Sequence, residues 1–154
     1  MIKGIHHIAI NVPDFDLGLT FYQDVIGFEI VEQGQIQNMP WADRAVGLPN
    51  ISATMAMMRA GSCFVELWSY GHPEGEDKTA RPCDLGYPHI ALEVVDIQSE
   101  HTRLENAGMT FVGPPVDFGD TSAVYGQDPF GNVIEIYEIR NPERAQLTHL
   151  RTRN

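Results

Sequence analysis

The sequence predicts an α+β protein built from two tandem βαβββ modules. Three observations support this prediction. A histidine followed by an apolar alternation occurs twice, as HIAINV from His7 and as HIALEV from His89. An aspartate follows each histidine by seven residues, and a glutamate lies inside a later apolar alternation of each copy, in FVELWSY from Phe64 and in VIEIYEI from Val133. Because order, spacing and chemistry all recur, the chain is interpreted as two copies of one unit.

Each copy begins with a strand, since apolar side chains occupy every second position. In the first copy Ile8, Ile10 and Val12 form one face of this strand, and His7 lies on the opposite face. The second copy repeats the alternation, again with its histidine, His89, on the face opposite the apolar one.

A helix follows each strand, and the predicted ranges are Phe15–Ile26 and Ile97–Ala107. Asp14 and Asp96 precede these ranges and are expected to be N-caps, because a short carboxylate accepts hydrogen bonds from the free amides of the first turn. Gly27 and Gly108 follow the ranges and are typical of the left-handed residue that ends a helix.

Three further strands complete each copy. They are predicted at Glu29–Gln33, Ala53–Arg59 and Cys63–Tyr70, and then at Phe111–Val116, Ala123–Gln127 and Val133–Ile139. The predicted organisation is a first module at 1–70 with an insertion at 34–50, a linker at 71–87, a second module at 88–139 and a tail at 140–154. The insertion lacks clear periodicity, and a segment of this length is often a lid or a pocket wall.

Composition excludes several classes of function. Of the 154 residues, 21 are acidic and 10 are basic, which gives a net charge of -11. Such a surface repels phosphate backbones and anionic lipid, so neither a nucleic acid nor a membrane is expected as a partner. The apolar runs are too short to span a bilayer, and the N-terminus lacks the apolar core of a signal peptide. The two cysteines lack CxxC spacing, which favours reduced thiols and a cytoplasmic protein.

The strand parity also places a histidine and a glutamate on one face of each module. Because the helix is expected to cover the apolar face, His7 and Glu66 share the other face of the first module, as His89 and Glu135 do in the second. If the first and last strands of a module are neighbours, the two groups converge. Four such side chains facing one another would form a site for one divalent ion, and mixed nitrogen and oxygen ligands suit Zn, Ni, Co, Mn or Fe.

These segments resemble the vicinal oxygen chelate superfamily, which includes glyoxalase I, methylmalonyl-CoA epimerase and the extradiol dioxygenases. The resemblance covers about residues 3–139 and is carried by HHIAINVPDFDLGLTFYQDVIGFEIV, CFVELW, PHIALEVVDI and DPFGNVIEIYE. It implies that each βαβββ module forms a curved half-barrel, that a metal sits in the cavity between paired halves, and that the chain is a homodimer. Carried over residue by residue, the implied metal ligands are His7, Glu66, His89 and Glu135.

The resemblance also implies a reaction class. Dioxygenases of the superfamily leave the first glutamate position empty, whereas Glu66 fills it here as in bacterial-type glyoxalase I. The implied function is a metal-dependent lyase or isomerase, similar to lactoylglutathione lyase or to an epimerase, acting on a small substrate with vicinal oxygens. Glu135 is the first candidate for the base that moves a proton, and Glu66 is the second. Two alternatives remain: an Fe(II) extradiol-type dioxygenase using His7, His89 and Glu135, and a non-catalytic ligand-sequestering protein of the bleomycin-resistance type.

Overall fold

A computed structural model of the chain describes residues 1–76 and 81–150. Residues 77–80 of the predicted linker and 151–154 of the predicted tail lie outside the described residues. The chain divides into two compact units, Met1–Lys78 and Thr79–Asn154. Among the described residues, no helix is both long enough and apolar enough to cross a bilayer.

The first unit is one sheet of four strands with a helix on one face. Its elements are β1 (His7–Asn11), α1 (Phe15–Thr20), a π-helical turn (Phe21–Val25), β2 (Glu29–Gln37), α2 (Pro40–Val46), β3 (Ser52–Ala60) and β4 (Cys63–His72). The strand order is β1-β4-β3-β2. β1 runs parallel to β4, and the other pairs are antiparallel. The first and last strands are therefore neighbours, as the convergence of histidine and glutamate requires.

The core of the first unit follows the predicted parity. Ile10 on β1 and Val65 and Leu67 on β4 are buried, as are Phe21 and Tyr22 in the π-helical turn. Burying such side chains removes apolar surface from water, at roughly 25 cal/mol per Å². This burial leaves the opposite face of the sheet to the side chains that alternate with the core residues, His7 and Glu66 among them.

The helical segment that starts with α1 begins at the predicted residue and ends one residue before the predicted end, although its last turn is π-helical. The carboxylate of Asp14 accepts a hydrogen bond from Leu17 N at 3.0 Å. The chain continues helically beyond α1 through the π-helical turn to Val25, and Gly27 then adopts a φ of 91°. An L side chain is strained at that φ, so glycine ends this helix at little conformational cost.

The predicted insertion at 34–50 is more regular than expected. Its first residues extend β2 to Gln37, where they pair with β3, and α2 follows. Asp43 on α2 accepts hydrogen bonds from Asn50 N and Ile51 N, both at 2.9 Å, and so ties the end of the segment back to its helix. The extension, residues 34–37, holds a single large apolar side chain, Ile36, so pairing with β3 and not apolar alternation sets the length of this strand.

The second unit repeats the same plan. Its elements are β5 (Ile90–Val94), α3 (Ile97–Asn106), β6 (Thr110–Phe111), β7 (Val116–Asp117), β8 (Thr121–Gln127), β9 (Val133–Ile139) and a 3₁₀ turn (Leu147–His149). The strand order is β5-β9-β8-β6, and β7 also pairs with β8. β5 runs parallel to β9, as β1 does to β4. Ile134 and Ile136 on β9 are fully buried.

One predicted strand of the second unit is interrupted. The sequence predicts a continuous strand at Phe111–Val116, but only its two ends pair with β8, as β6 and β7. Gly113, Pro114 and Pro115 lie between them. Proline has no N–H to donate to the strand ladder, and this explains the break.

The described part of the tail, 140–150, is fastened to the second unit. The Arg140 guanidinium donates hydrogen bonds to Ser122 Oγ at 2.8 Å and Glu138 Oε2 at 2.7 Å, and it also pairs with Asp117. Leu147 N donates to Glu93 Oε2 at 2.7 Å. Taken with the two mixed sheets and the few helices, these elements confirm the predicted α+β class.

Candidate functional site

In the first unit the parallel pairing of β1 and β4 brings His7 to Glu66. Ala9 is the register partner of Glu66, and His7 lies two residues earlier on the same face of the sheet. His7 Nε2 lies 3.5 Å from Glu66 Oε2. The side chains are 40% and 16% exposed, so the pair is accessible from the sheet face but not freely solvated.

The second unit forms an equivalent pair. Ala91 is the register partner of Glu135, and His89 again lies two residues earlier. His89 Nε2 lies 3.3 Å from Glu135 Oε2, and the side chains are 27% and 14% exposed. The two copies of the unit therefore reproduce the same pair in the same register, with the same nitrogen facing the carboxylate.

The surroundings of the two carboxylates differ. Opposite Glu66 on β3 lies Met57. Along β4, the ring of Trp68 stacks on that of Tyr70 with centroids 5.5 Å apart. Burial, and then the charge of Glu66, raise the pKa of the Tyr70 phenol above its ordinary value. This phenol therefore stays protonated near neutral pH.

Opposite Glu135 on β8 lies Tyr125. Its ring meets the imidazole of His89 edge-on, with centroids 5.0 Å apart. Burial, and then the charge of Glu135, raise the pKa of the Tyr125 phenol. The second pair thus has a tyrosine across the sheet from its carboxylate, whereas the first has Met57 in that place and Tyr70 farther along the strand of Glu66.

The outer nitrogens of the two histidines also differ. His7 Nδ1 lies 2.9 Å from His6 Nδ1, within hydrogen-bond distance. His89 Nδ1 is buried and has no hydrogen-bond partner among the described residues. The position equivalent to His6 is Pro88, which offers no side-chain donor or acceptor.

The donor set of these pairs fits a divalent ion of the borderline class. Imidazole nitrogen and carboxylate oxygen are both ligands of Zn, Ni, Co, Mn and Fe. Within each unit the carboxylate is mostly buried and faces the Nε2 of a histidine, so a cation bound there would offset its charge. Among the described residues, no three His, Cys, Asp or Glu side chains are placed so that they could hold one ion. Each unit therefore supplies two candidate ligands.

Other candidate groups are already engaged in their own units. Two arginines that could attract an anionic substrate are paired with carboxylates: Arg59 with Glu29 at 2.6 Å and Arg81 with Asp84 at 2.7 Å. Glu93 on β5 accepts the hydrogen bond of the tail. These groups are therefore less available to a substrate than their charges suggest.

Sequence reasoning did not assign the two tyrosines to the carboxylates. Tyr70 was detectable, since it lies four residues after Glu66 on the same strand and period 2 puts both on one face. Tyr125 could not be assigned in this way, because its place opposite Glu135 depends on the pairing of β8 with β9.

Fold and site together define a two-unit βαβββ protein with a repeated histidine–glutamate pair. The family model described as the Glyoxalase/Bleomycin resistance protein/Dioxygenase superfamily matches residues 4–136. The chain belongs to this superfamily, as the sequence resemblance predicted.

Individual relatives agree with this assignment. The chain is 29% identical to a 2-epi-5-epi-valiolone epimerase from Actinomyces sp. over 147 residues, covering 88% of this chain and 79% of the relative. It is 28% identical to a lactoylglutathione lyase from Haemophilus influenzae over 144 residues, covering 89% and 93%. A crystal structure of a glyoxalase family protein from Bacillus cereus matches with a TM-score of 0.82 at 25% identity, covering 92% of this chain and 97% of that chain.

Proposed function

We propose that the protein is a metal-dependent lyase or isomerase that moves a proton at a carbon beside two vicinal oxygens of a small substrate. The observation that carries this proposal is the repetition of one histidine–glutamate pair in one register in both units. A single such pair is common in proteins, but two in equivalent positions indicate a shared role.

His7, Glu66, His89 and Glu135 would hold one divalent ion, either within one chain or across a homodimer. Zn, Ni, Co, Mn and Fe all suit this donor set. The ion would act as a Lewis acid that makes the neighbouring C–H bond of a chelated substrate more acidic. A cytoplasmic location and a dimeric state belong to the same proposal.

Glu135 would take the proton from carbon and return it, and Glu66 is the second candidate for this base. The arrangement around Glu135 favours this assignment. Tyr125 lies opposite it with a protonated hydroxyl that can donate a hydrogen bond to the carboxylate or to a substrate oxygen. Met57 lies opposite Glu66 instead, and Tyr70, the tyrosine near that carboxylate, is on the same strand as Glu66.

The presence of Glu66 also argues against the two alternative functions. A dioxygenase of the kind considered needs only His7, His89 and Glu135, and Glu66 would have no part in it. A ligand-sequestering protein needs neither pair. The similarity to a lyase and to an epimerase favours a proton-transfer reaction. Whether that reaction is a lyase or an epimerase reaction depends on the substrate.

Metal content tests the premise. The protein is stripped with a chelator, loaded separately with each of the five ions, and assayed for bound metal. We expect about one ion per four-ligand site, with binding lost in His7→Ala and His89→Ala but retained in His149→Ala, which removes an exposed histidine of the tail. Less than about 0.1 ion per chain after loading with every ion would refute the proposal.

Proton exchange tests the chemistry. The loaded protein is incubated in deuterium oxide with α-hydroxy ketones and hemithioacetals, and incorporation of deuterium at carbon is followed by NMR. We expect Glu135→Gln to lower the exchange rate by about 10²–10⁴-fold, the range ordinarily contributed by a general base. Oxygen uptake with catechols by the Fe(II) protein, without deuterium exchange, would instead support the dioxygenase.

A further inference from the structure

We infer that His6 is a positioning residue that fixes the orientation of the His7 ring through a hydrogen bond to its Nδ1. The inference rests on the proposed function, since it concerns how His7 presents Nε2 to a metal ion. It goes beyond that function because His6 lies outside the proposed ligand set.

The distance between the His6 and His7 rings is that of a hydrogen bond, in which one ring must be the donor. Their Nδ1 atoms are 2.9 Å apart, and two neutral imidazoles can share a hydrogen bond only if one nitrogen carries the proton and the other a lone pair. His7 Nε2 faces Glu66 and must have a free lone pair to bind a metal. When a metal occupies Nε2, the proton of His7 therefore lies on Nδ1, and His6 Nδ1 is placed to accept it.

His6 is itself held in place. Its carbonyl oxygen accepts a hydrogen bond from Phe64 N at 2.9 Å, which fixes its backbone against β4. Its ring packs on that of Phe64, with centroids 5.1 Å apart and planes tilted by 34°. A fixed acceptor restrains the ring of its donor, and this is how outer hydrogen bonds orient metal-binding histidines.

The second unit provides an internal comparison. Pro88 stands where His6 stands in the first unit, and among the described residues His89 Nδ1 has no partner. The edge-on contact with Tyr125 restrains the His89 ring by packing, but packing does not select a tautomer. The two histidines of the proposed site are thus oriented by different means, and only His7 depends on a histidine neighbour.

Three variants separate the possible roles of the His6 ring. His6→Phe keeps an aromatic ring against Phe64 but removes the acceptor. His6→Asn restores an acceptor through its amide oxygen and loses the ring. Pro88→Ala changes the equivalent position of the second unit, where no side-chain hydrogen bond is at stake, and is the matched control. Circular dichroism and thermal unfolding verify that each variant is folded.

The first readout is the hydrogen bond of His7 Nδ1 in the Zn²⁺-saturated protein. Long-range ¹H–¹⁵N correlation spectra of ¹⁵N-histidine-labelled protein identify the Nδ1 proton of His7 and the rate at which it exchanges with solvent. We expect this proton to exchange slowly in the wild-type protein and in His6→Asn, where an acceptor is present, and rapidly in His6→Phe. A His7 Nδ1 proton that exchanges as fast in the wild-type protein as in His6→Phe overturns the inference.

The second readout is metal affinity, measured by competition of Zn²⁺ or Co²⁺ with a chromogenic chelator. We expect His6→Phe to bind about 10–100-fold more weakly than the wild type, the usual effect of losing such an outer hydrogen bond. His6→Asn should recover most of this loss, and Pro88→Ala should bind as the wild type does. Wild-type affinity in His6→Phe overturns the inference.

His7→Ala distinguishes the two proposals. If His7→Ala abolishes metal binding while His6→Phe binds normally, His6 has no positioning role and the proposed function stands. If His7→Ala binds metal as tightly as the wild type does, the ligand set is wrong and both proposals fall.

Discussion

The turn between β8 and β9 offers the sharpest test of how this fold is held together. Asp128 begins the turn and is only 3% exposed. Its carboxylate accepts hydrogen bonds from Phe130 N at 2.9 Å and from Asn132 N and Asn132 Nδ2, each at 2.8 Å. Because this turn sets the pairing of β8 with β9, it also sets the position of Tyr125 opposite Glu135. We predict that Asp128→Ala destabilises the second unit.

The magnitude follows from the groups that lose their acceptor. A buried donor left without a partner costs about 1–3 kcal/mol, and Asp128→Ala deprives three donors at once. Water reaches part of a surface turn and offsets some of this, so we expect a total loss of about 2–4 kcal/mol. Asp128→Asn keeps one oxygen for the two backbone amides and loses the acceptor for Asn132 Nδ2, so it should cost about 1 kcal/mol.

The assay must report on the second unit. Both tryptophans, Trp41 and Trp68, lie in the first unit, so fluorescence alone is unsuitable. Urea unfolding by circular dichroism gives the free energy of unfolding, and amide hydrogen exchange at Phe130 and Asn132 gives the local effect. Equal unfolding free energies for wild type and Asp128→Ala would refute the reasoning, as would an Asp128→Asn variant as unstable as Asp128→Ala.

Two further predictions concern packing and charge. Gly18→Ala in α1 would place a Cβ 2.8 Å from Val12 Cγ2, so overpacking of about 1–3 kcal/mol should outweigh the gain of about 1 kcal/mol in helix propensity. Urea unfolding followed by tryptophan fluorescence should therefore show that Gly18→Ala is less stable than the wild type. Adding Val12→Ala should remove the clash. A Gly18→Ala variant more stable than the wild type would contradict this prediction. Hydrogen bonds from Asn141 and then Arg144 hold the pKa of Asp120 below its ordinary value of 3.8. The stabilisation is therefore present above pH 3.8 and lost as the pH falls through the lower folded-state pKa of Asp120. Over that range the unfolding free energy of the wild type, measured with urea, should fall faster with decreasing pH than that of Asp120→Asn. Equal pH dependence of the two unfolding free energies would contradict the stabilising role of Asp120.

Much of the fold could be predicted because apolar residues alternate along the strands of each module and recognisable capping residues flank its helices. The last strand of the second unit has the predicted bounds, Val133–Ile139, and its buried residues Ile134 and Ile136 alternate with more exposed neighbours. Asp14 and Asp96 accept hydrogen bonds from the first turns of their helices, as their chemistry predicts. Such features depend on residues close in sequence, so the sequence alone indicates them.

The remaining features depend on residues distant in sequence. β2 continues to Gln37 because β3 offers it a partner, and nothing in the polar residues of that stretch requires a strand. Tyr125 meets His89 through the order of three strands, β5, β9 and β8. The hydrogen bond between His6 and His7 is local, but adjacent residues on a strand point to opposite faces, and strand parity alone therefore argues against it.

The register between the first and last strands of each unit is the feature that brings the repeated histidine and glutamate together. Side chains on a strand alternate between faces, so a slip of one residue between β1 and β4 would carry His7 away from Glu66. The histidine and glutamate are separated by 59 residues in the first unit and by 46 in the second. Yet each glutamate is paired with the alanine two residues after the histidine. The extra length of the first unit is taken up by β2, α2 and the ends of β3 and β4, and none of it alters the pairing of first strand with last. A chain that can lengthen in one region while holding this register can change the walls of its site without moving the two groups that we propose as ligands.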